Sequence, residues 1–433
     1  MEKRRREIAR SPLLIGRSLP APSRQPIGFM PQQQALISDT DDWVTYAGTS
    51  HIVTTGPTGS GKSCHIIGNA LAFEGSMVVF DSKGDIFKAT ARRRREMGQE
   101  VHVIDLRDSS RMGNGSLNPL DLAARSGTES AVIARSLAAH IVARTGEERD
   151  SFWNNWAETC ISGAIGYVLG LPVESRHMGT VFELFNSDDV AYTIACLLDK
   201  EQEKMTRATR AALTGFIQLP ERDTRPSVLG TTQSAPRLWD SELVRQATAS
   251  TSFDLDALIN QSDERPMTLY FIIPSYRGEA YRPLLRLWFG GLLSALMQRE
   301  HLPRTQTLIV SDETASFGKI ESFITAATQA RSYGITLWTH WQNIAQLLIY
   351  GTVGAHTLID NAGVLQILGA PNHRAAEEFA SLIGGISAEE IMALGPRDQL
   401  AFIDGKLERL RRFRYFEEPR FAGQYDPVMK GLF

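Results

Sequence analysis

The sequence predicts an α/β protein with a mainly parallel sheet, into which an all-helical domain is inserted. In the first part of the chain, short apolar runs alternate with helical stretches, which is typical of a parallel sheet. This alternation stops near residue 124 and resumes only at 268–274. The first of the apolar runs leads into a glycine-rich loop that has the form of a phosphate-binding loop.

The strands of the sheet are predicted from short β-rich runs. In chain order they are HIVTT, MVVFD, VHVID, TLYFIIP, TLIVSD, ITLWTHW, GVLQILGA and QLAFIDG. Because the later runs resume the same alternation, the sheet is expected to close around the insertion. The stretch RLRRFR at 409–414 alternates basic and apolar residues, so it is predicted to be an edge strand that is protected by its charge.

The insertion is predicted from stretches that carry apolar residues at spacings of three and four, as a buried helix does. These stretches are ESAVIARSLAAHIVA, SFWNNWAETCISGAIGYVLG, DDVAYTIACLLDK and MTRATRAALTGFIQL. They predict a helical domain at 124–262, set into a nucleotide-binding domain made of 43–123 and 263–433. Residues 1–42 mix basic, Pro and Gln residues and are predicted to be a flexible arm.

Composition is that of an ordinary soluble protein. The 433 residues are 42% hydrophobic and 22% charged, and the formal net charge of -3 gives no indication of a nucleic acid partner. No apolar run approaches the ~20 residues that a membrane-spanning helix needs, and the start does not have the form of a signal peptide. The three cysteines are far apart, which suits a reducing cytosol.

The loop GPTGSGKS matches the phosphate-binding pattern G-x-x-x-x-G-K-[ST] and lies between a predicted strand and a predicted helix. Its backbone N–H groups and the helix N-terminus would hold phosphates. Lys62 would reach the β- and γ-phosphates, and Ser63 would bind Mg²⁺. ATP and Mg²⁺ are therefore the expected cofactors. The predicted nucleotide-binding residues are Gly56, Pro57, Thr58, Gly59, Ser60, Gly61, Lys62, Ser63 and Cys64.

Two strand ends offer an acidic partner for the metal. VVFD ends in Asp81 without a second acid beside it, whereas LIVSDE ends in Asp312 and Glu313. Such a pair supplies a metal-binding carboxylate, Asp312, and a base that orients the attacking water, Glu313, so it favours hydrolysis over phosphate transfer. An Asp-Glu pair at a strand end can also simply cap the next helix. Asp81 is then expected to position the loop.

A hydrolysing site also needs a group that senses the γ-phosphate. Gln342 follows the strand ITLWTHW, and Arg331 lies before that strand, where it could reach the phosphate of a neighbouring subunit. Taken alone, a Gln at a strand end is more often solvated and a lone Arg more often covers a surface, so both readings remain open at this point.

Several motifs together resemble the type IV secretion coupling ATPases, the TraG/TraD-like family of conjugative DNA transfer. They are, in order, GPTGSGKS, FDSKGDIF at 80–87, SLNPLD at 116–121, FWNNWAE at 152–158, and the long run SDETASFGKIESFITAATQARSYGITLWTHWQNIAQLLIYG followed by TLIDNAGVLQILGA. The similarity extends from about residue 50 to 420. One such motif is weak, but this set in this order is specific.

The resemblance implies a RecA-like motor domain with a helical insertion, and a homo-hexameric ring with nucleotide at the subunit interfaces. It implies single-stranded DNA, a relaxase–DNA complex or a protein effector as cargo, recognised by the inserted helices, and type IV secretion components as partners. It makes Lys62, Ser63, Asp312 and Glu313 the hydrolytic site, and Gln342 and Arg331 the sensor and the trans-acting arginine.

Two departures from the family are visible. Most members begin with transmembrane helices, whereas this sequence contains none, so we expect a soluble variant, a shortened chain, or a chain that a separate partner holds at the cytoplasmic face of the inner membrane. The second departure is Thr314, where the family usually has an apolar residue after Asp-Glu.

Other functions fit the sequence less well. A FtsK/HerA-like double-strand DNA pump does not account for the helical insertion or for FDSKGD, SLNPLD and FWNNWAE. A non-motor adaptor that binds nucleotide structurally has no use for Glu313. A small-molecule kinase does not account for so large an insertion.

Basic clusters and tryptophans are candidates for contacts with DNA. The basic clusters are KRRR at 3–6, RRRR at 92–95, the residues Lys204, Arg207 and Arg210, and RLRRFR at 409–414; the tryptophans are Trp153, Trp156, Trp338 and Trp341. The basic clusters are more often solvated surface, and at these spacings the tryptophans are more often core.

Overall fold

The computed structural model describes residues 8, 10–19, 42–107, 115–124, 129–142, 151–234, 236–260, 265–274 and 277–428. In this part of the chain one 11-stranded sheet runs through the molecule. The strands are β1 (Leu13–Ser18), β2 (Trp43–Tyr46), β3 (His51–Thr55), β4 (Met77–Asp81), β5 (Glu100–Asp105), β6 (Met267–Ile272), β7 (Thr307–Ser311), β8 (Ile335–Trp341), β9 (Ala362–Ile367), β10 (Asp398–Ile403) and β11 (Lys406–Arg411). Every strand predicted from the sequence is present.

The helices divide into those that cover the sheet and those of the insertion. The first group is α1 (Lys62–Ala72), α2 (Asp85–Glu96), α3 (Pro119–Ala124), α12 (Gly278–Met297), α13 (Glu321–Gln329), α14 (Ile344–Leu347), α15 (Gly351–Asp360), α16 (His373–Ile383) and α17 (Ala388–Met392). The second group is α4 (Ser130–Ile141), α5 (Ser151–Val168), α6 (Met178–Phe185), α7 (Val190–Glu201), α8 (Arg207–Gln218), α9 (Thr224–Ser234), α10 (Glu242–Thr248) and α11 (Leu255–Ile259).

Strand order explains why one edge of the sheet can hold a site. The order is β2-β1-β11-β10-β9-β3-β8-β7-β4-β6-β5. From β9 to β5 neighbouring strands are parallel, whereas β10, β11, β1 and β2 continue the sheet in antiparallel pairs. In the parallel part, the carboxyl ends of all strands meet at one edge, where ligands bind in open α/β sheets.

Both faces of the parallel part are buried along its inner strands, as the continuous apolar strands require, whereas the outer strand β5 is partly exposed. Along β4, Val78 and Phe80 face one core, while Met77 and Val79 face the other, because successive side chains alternate across a strand. Helices α1 and α2 pack on the second face, and α12 packs on the first. The inserted helices share the first core, so the apolar interior continues from the sheet into the insertion.

The described residues of the insertion form helices joined by short connections, without a strand, and α5 packs between α4, α8 and α9. Helix α12 ties it to the sheet. Arg286 of α12 is buried, and its Nη2 donates a hydrogen bond to the carbonyl oxygen of Ile141, the last residue of α4, at 3.3 Å. The domain boundaries at 124 and 262 stay predictions, because the two parts share one continuous core. Among the helices that the structure describes, none combines the length and the hydropathy that crossing a membrane demands.

The flexible arm predicted for residues 1–42 is wrong for 13–18. These residues form β1, which lies between β2 and β11 with its first five residues buried. Gln366 and Gln399 each donate a side-chain hydrogen bond to the Ile15 carbonyl oxygen, at 3.1 and 2.7 Å. The short run LLIGRS was obscured by the Pro- and Gln-rich residues that follow it. The basic cluster at 3–6 lies outside the described residues.

The edge-strand prediction for RLRRFR is also wrong. Its first residues belong to β11, which pairs with β10 on one side and with β1 on the other. The strand carries charge because most of its side chains are exposed on the sheet faces, not because its backbone is unpaired. The outer strands of the described sheet are β2 and β5.

The basic run 92–95 contains a buried arginine. Arg94 is fully buried in α2, and its guanidinium donates to Thr268 Oγ1 at 2.9 Å and to the carbonyl oxygens of Ala70, Phe73 and Gly75. These carbonyls lie at the end of α1 and in the turn before β4, where a helix leaves its last carbonyl groups unpaired. Arg94 therefore joins α1, α2 and β6 and does not face solvent or DNA.

We expect Arg94→Met to lower the free energy of unfolding by ~3 kcal/mol, because it leaves several buried carbonyl oxygens without a donor. The measurement is urea unfolding followed by circular dichroism. Arg95→Met is the matched control, since Arg95 is exposed on the same helix and its loss should change the free energy by less than ~0.5 kcal/mol. Equal effects of the two substitutions would contradict this account of Arg94.

Candidate nucleotide-binding and hydrolysis site

The glycine-rich loop connects β3 to α1 at the carboxyl edge of the sheet. Gly59 and Gly61 have φ values of 81° and 89°, in the left-handed region that glycine adopts without strain. Helix α1 then begins at Lys62, so its free N–H groups lie at the end of the loop. Strand, left-handed turn and helix N-terminus together form the backbone arrangement that binds phosphate.

Lys62 bends back over this loop. Its Nζ donates hydrogen bonds to the carbonyl oxygens of Gly56 and Pro57, the latter at 3.0 Å. Burial lowers the pKa of Lys62 to about 8, and the charges of Asp312 and Glu313 oppose that change. The ammonium group therefore stays charged at neutral pH beside the two acids.

The structure brings Ser63 and Asp312 together although they are far apart in the sequence. Ser63 Oγ donates to Asp312 Oδ1 at 3.0 Å, and Ser82 Oγ donates to Asp312 Oδ2 at 3.2 Å. A hydroxyl and one carboxylate are the oxygen ligands that proteins offer to a Mg²⁺ ion carried by nucleotide phosphates. The donor set therefore fits the predicted metal, and Ser63 and Asp312 remain its predicted ligands.

The next acid is paired with the predicted sensor. Gln342 Nε2 donates to Glu313 Oε1 at 3.0 Å, across the ends of the adjacent strands β7 and β8. Burial raises the pKa of Glu313, and the nearby Asp312 raises it further, while the lysines oppose the rise. A partly buried carboxylate with a raised pKa at a phosphate loop is suited to accept a proton from water.

Asp81 has a different task. Its carboxylate accepts backbone hydrogen bonds from Lys83 at 3.1 Å, Gly84 at 2.7 Å and Phe87 at 2.9 Å. Burial raises its pKa to about 6, and the charge of Asp312 adds to the rise. These bonds fix the turn after β4 and the start of α2. The Asp81 carboxylate is thus occupied by backbone N–H groups, and Asp312 remains the predicted metal ligand.

The side chains of two further predicted residues do not face the phosphate loop. Arg331 is exposed in a single 3₁₀ turn before β8, and its Nη1 lies 3.4 Å from Ser50 Oγ, just before β3. It is therefore at the amino edge of the sheet, opposite the loop of its own chain. Cys64 has its side chain buried in the core, so only its backbone N–H could face a nucleotide, and that group bonds the Gly61 carbonyl at 3.0 Å.

Sequence reasoning missed three residues that support the site. Ser82 was not assigned a role, although it lies in the FDSKGD motif. Arg412 was grouped with DNA-binding candidates, but its Nη1 donates to the Ser60 carbonyl oxygen at 2.7 Å and thereby holds the loop from the residue that follows β11. Thr314, named above only as a departure from the family pattern, accepts the His340 backbone N–H through Oγ1 at 3.2 Å. No local sequence signal marks the last two contacts.

The candidate tryptophans are buried or partly buried, whereas Lys204, Arg207 and Arg210 are exposed. Trp338 and Trp341 are fully buried, as expected for core residues, and Trp153 and Trp156 pack partly buried against the core of the insertion. Arg207 and Arg210 of α8 are exposed. Lys204 precedes them and lies 3.7 Å from Glu201.

Two buried histidines border the loop. His65 of α1 stacks on Phe413, with ring centroids 4.8 Å apart, and His340 Nδ1 donates to the Ser311 carbonyl oxygen at 3.0 Å. Burial lowers the pKa of each to about 3, from an ordinary 6.5. Each therefore stabilises the fold as a neutral group above pH 6.5, and this contribution is lost as the pH falls toward the folded-state value.

We expect the free energy of unfolding to fall between pH 7.5 and 5.0, with His65 contributing ~2 kcal/mol of the loss. Asp81 opposes it by ~1 kcal/mol, since its raised pKa favours the folded state in acid. His65→Gln should remove its share of the pH dependence in urea unfolding, whereas the exposed-site control His301→Gln should not. An unchanged pH dependence in His65→Gln would contradict the assignment.

Comparisons with known proteins agree with this geometry. Residues 27–393 match the family described as Type IV secretory system Conjugative DNA transfer. Protein VirD4 of Agrobacterium fabrum is 26% identical over 354 residues, which cover 79% of this chain and 50% of that protein. The conjugal transfer protein TraG of Escherichia coli is 24% identical over 379 residues, covering 82% and 58%. The chain thus spans about half the length of the first of these relatives.

Solved structures share the fold. Plasmid coupling protein TrwB in complex with ADP and Mg²⁺ aligns with a TM-score of 0.66 at 17% identity, over 84% of this chain and 86% of that one. VirB4 of Thermoanaerobacter pseudethanolicus aligns with a TM-score of 0.54 at 13% identity, over 86% and 90%. The prediction of a RecA-like α/β core with a helical insertion is confirmed. The chain belongs to the type IV secretory system conjugative DNA transfer family.

Proposed function

We propose that this chain is the ATP-hydrolysing motor of a coupling protein that brings single-stranded DNA, a DNA–protein complex or a protein effector to a type IV secretion apparatus. The observation that carries the proposal is the hydrogen bond between Gln342 and Glu313, beside the Ser63–Asp312 pair. A nucleotide-binding scaffold needs the loop and the metal ligands, but it does not need a glutamate held by a glutamine at the next strand end.

In this proposal each residue has one task. The backbone of 56–64 and Lys62 bind the phosphates, and Ser63 and Asp312 hold the metal. Bound Mg²⁺ would offset the negative charge of the phosphate oxygens. Glu313 orients a water and accepts its proton, which the raised pKa of its carboxylate favours. Gln342 keeps Glu313 in place and is the group that responds when the terminal phosphate leaves.

Helix α14 connects Gln342 to an exposed segment of the surface, which supports a link between hydrolysis and motion. The Gln342 backbone N–H donates to Gln346 Oε1 at 2.7 Å, at the start of α14. This helix leads into a segment whose Leu348, Ile349 and Val353 are exposed, the last by 82%. A displacement of Gln342 would therefore move an apolar surface that a neighbouring molecule could contact.

The proposed active assembly is a homo-hexamer in which Arg331 acts on the nucleotide of the next subunit. The exposure of Arg331 and its location at the amino edge of the sheet support an action in trans. The exposed Arg207 and Arg210 on α8 support cargo recognition by the inserted helices. The proposed location is the cytoplasmic face of the inner membrane, with secretion components as partners.

We expect Glu313→Gln to lower the rate of ATP turnover by ~10²–10⁴-fold while ATP binding stays within a few-fold, since only proton transfer is lost. Lys62→Ala should instead abolish nucleotide binding. Turnover is measured by phosphate release, with and without single-stranded DNA, over a series of salt and protein concentrations, and Glu408→Gln on exposed β11 is the control. Full turnover in Glu313→Gln would rule out its proposed role.

We expect Arg331→Ala subunits to poison wild-type subunits in mixed assemblies, because each arginine would serve the neighbouring site. Activity should therefore fall faster than the wild-type fraction as the two proteins are mixed at constant total concentration. Arg374→Ala, an exposed arginine on α16, is the control and should leave the mixtures fully active. Activity strictly proportional to the wild-type fraction would exclude a trans-acting Arg331.

A further inference from the structure

The turn that follows β4 contains Lys83, to which the proposed function assigns no role. Its backbone is held on both sides. The N–H donates to Asp81 Oδ1 at 3.1 Å, and the carbonyl oxygen accepts from Arg107 Nη1 at 2.8 Å. Arg107 in turn pairs with Asp105 at 2.6 Å. Arg107, two residues after the end of β5, therefore holds the turn through the Lys83 carbonyl oxygen, and Asp81 holds it through the Lys83 N–H.

Gly84 shows how closely this turn is packed. It has a φ of 82°, and a Cβ atom added there would lie 2.2 Å from Arg107 Nη1. A larger residue would have to displace the guanidinium that holds the Lys83 carbonyl. The backbone of Lys83 is thus preorganised by contacts that are separate from the phosphate loop.

The turn lies directly beside the metal ligand. Ser82, the residue before Lys83, donates its hydroxyl to Asp312 Oδ2 at 3.2 Å. The Lys83 side chain is exposed, and within the described residues no hydrogen bond or ion pair joins its ammonium group to another side chain. A flexible stem of four carbons lets this charge reach a ligand bound at Asp312.

The charge of Lys83 acts on the site. Burial raises the pKa of Asp312 and of Glu313, and both Lys62 and Lys83 oppose that rise. Lys83 also adds to the lowering of the Lys62 pKa, which burial chiefly causes. The electrostatic influence of Lys83 therefore agrees with the place of its backbone, one residue after Ser82 at Asp312.

We propose that Lys83 is a second phosphate-binding cation, which contacts the terminal phosphate of Mg²⁺-bound ATP from the β4 side while Lys62 approaches from the start of α1. The inference rests on the proposed function only in taking ATP as the ligand. The terminal phosphate is the group that would lie next to Asp312, since Ser63 and Asp312 would hold the Mg²⁺ ion that offsets the charge of the phosphate oxygens. ADP lacks this phosphate, so Lys83 should distinguish the two nucleotides.

The test is a titration of the purified full chain with Mg²⁺–ADP and with a Mg²⁺-bound non-hydrolysable ATP analogue. Lys83→Gln should weaken binding of the analogue about tenfold, as expected for one lost charge-assisted hydrogen bond, and leave ADP within about twofold. Lys83→Arg should retain the preference for the analogue. Lys88→Gln, at an exposed lysine of α2, should bind both nucleotides as the unaltered chain does.

Equal weakening of both nucleotides in Lys83→Gln would overturn the proposal, since it would indicate a general effect on the loop. Unchanged binding of both would overturn it as well. Loss of the preference for the analogue would support it even if the unaltered chain hydrolyses no ATP, in which case the motor function fails and the cation assignment stands. Where turnover is measurable, a lowered kcat with unchanged ADP inhibition gives the same support.

Discussion

The carboxylate of Asp312 accepts hydrogen bonds from Ser63 at the start of α1 and from Ser82 after β4, so one side chain joins three elements. Its position depends on the parallel pairing of β7 with β4 and β8, which aligns their carboxyl ends. The loop, the turn after β4 and the acidic pair therefore meet only when this part of the sheet is correctly ordered. The rest of the site is arranged around that junction.

Much of the surrounding structure supplies hydrogen-bond partners to polar groups that are buried near the site. Asp81 uses its carboxylate on three backbone N–H groups, and Thr314 satisfies the amide of His340 where β8 runs past the end of β7. Unpaired, these groups would each carry a desolvation cost. These backbone groups are all hydrogen-bonded inside the fold. Asp312, Glu313 and Lys62 are the charged groups that converge at the loop.

Two basic residues show why charge in a sequence is a poor guide to nucleic acid contacts. Arg94 is fully buried against backbone carbonyls, and Arg412 holds the phosphate loop through the Ser60 carbonyl. Arginine suits such positions because its planar fork donates several hydrogen bonds at once. In contrast, the side chains of Arg207 and Arg210 in the insertion are exposed.

The sequence by itself determined the strands of the parallel sheet, the helical insertion and the phosphate loop, because period, β-rich runs and glycine spacing are local properties. It also singled out Asp312, Glu313 and Gln342 as strand-end residues. Only the tertiary structure decided that Gln342 touches Glu313, that residues 13–18 complete the sheet, and that Arg331 lies opposite its own loop. These outcomes depend on strand order and on contacts between residues distant in sequence, which no local pattern encodes.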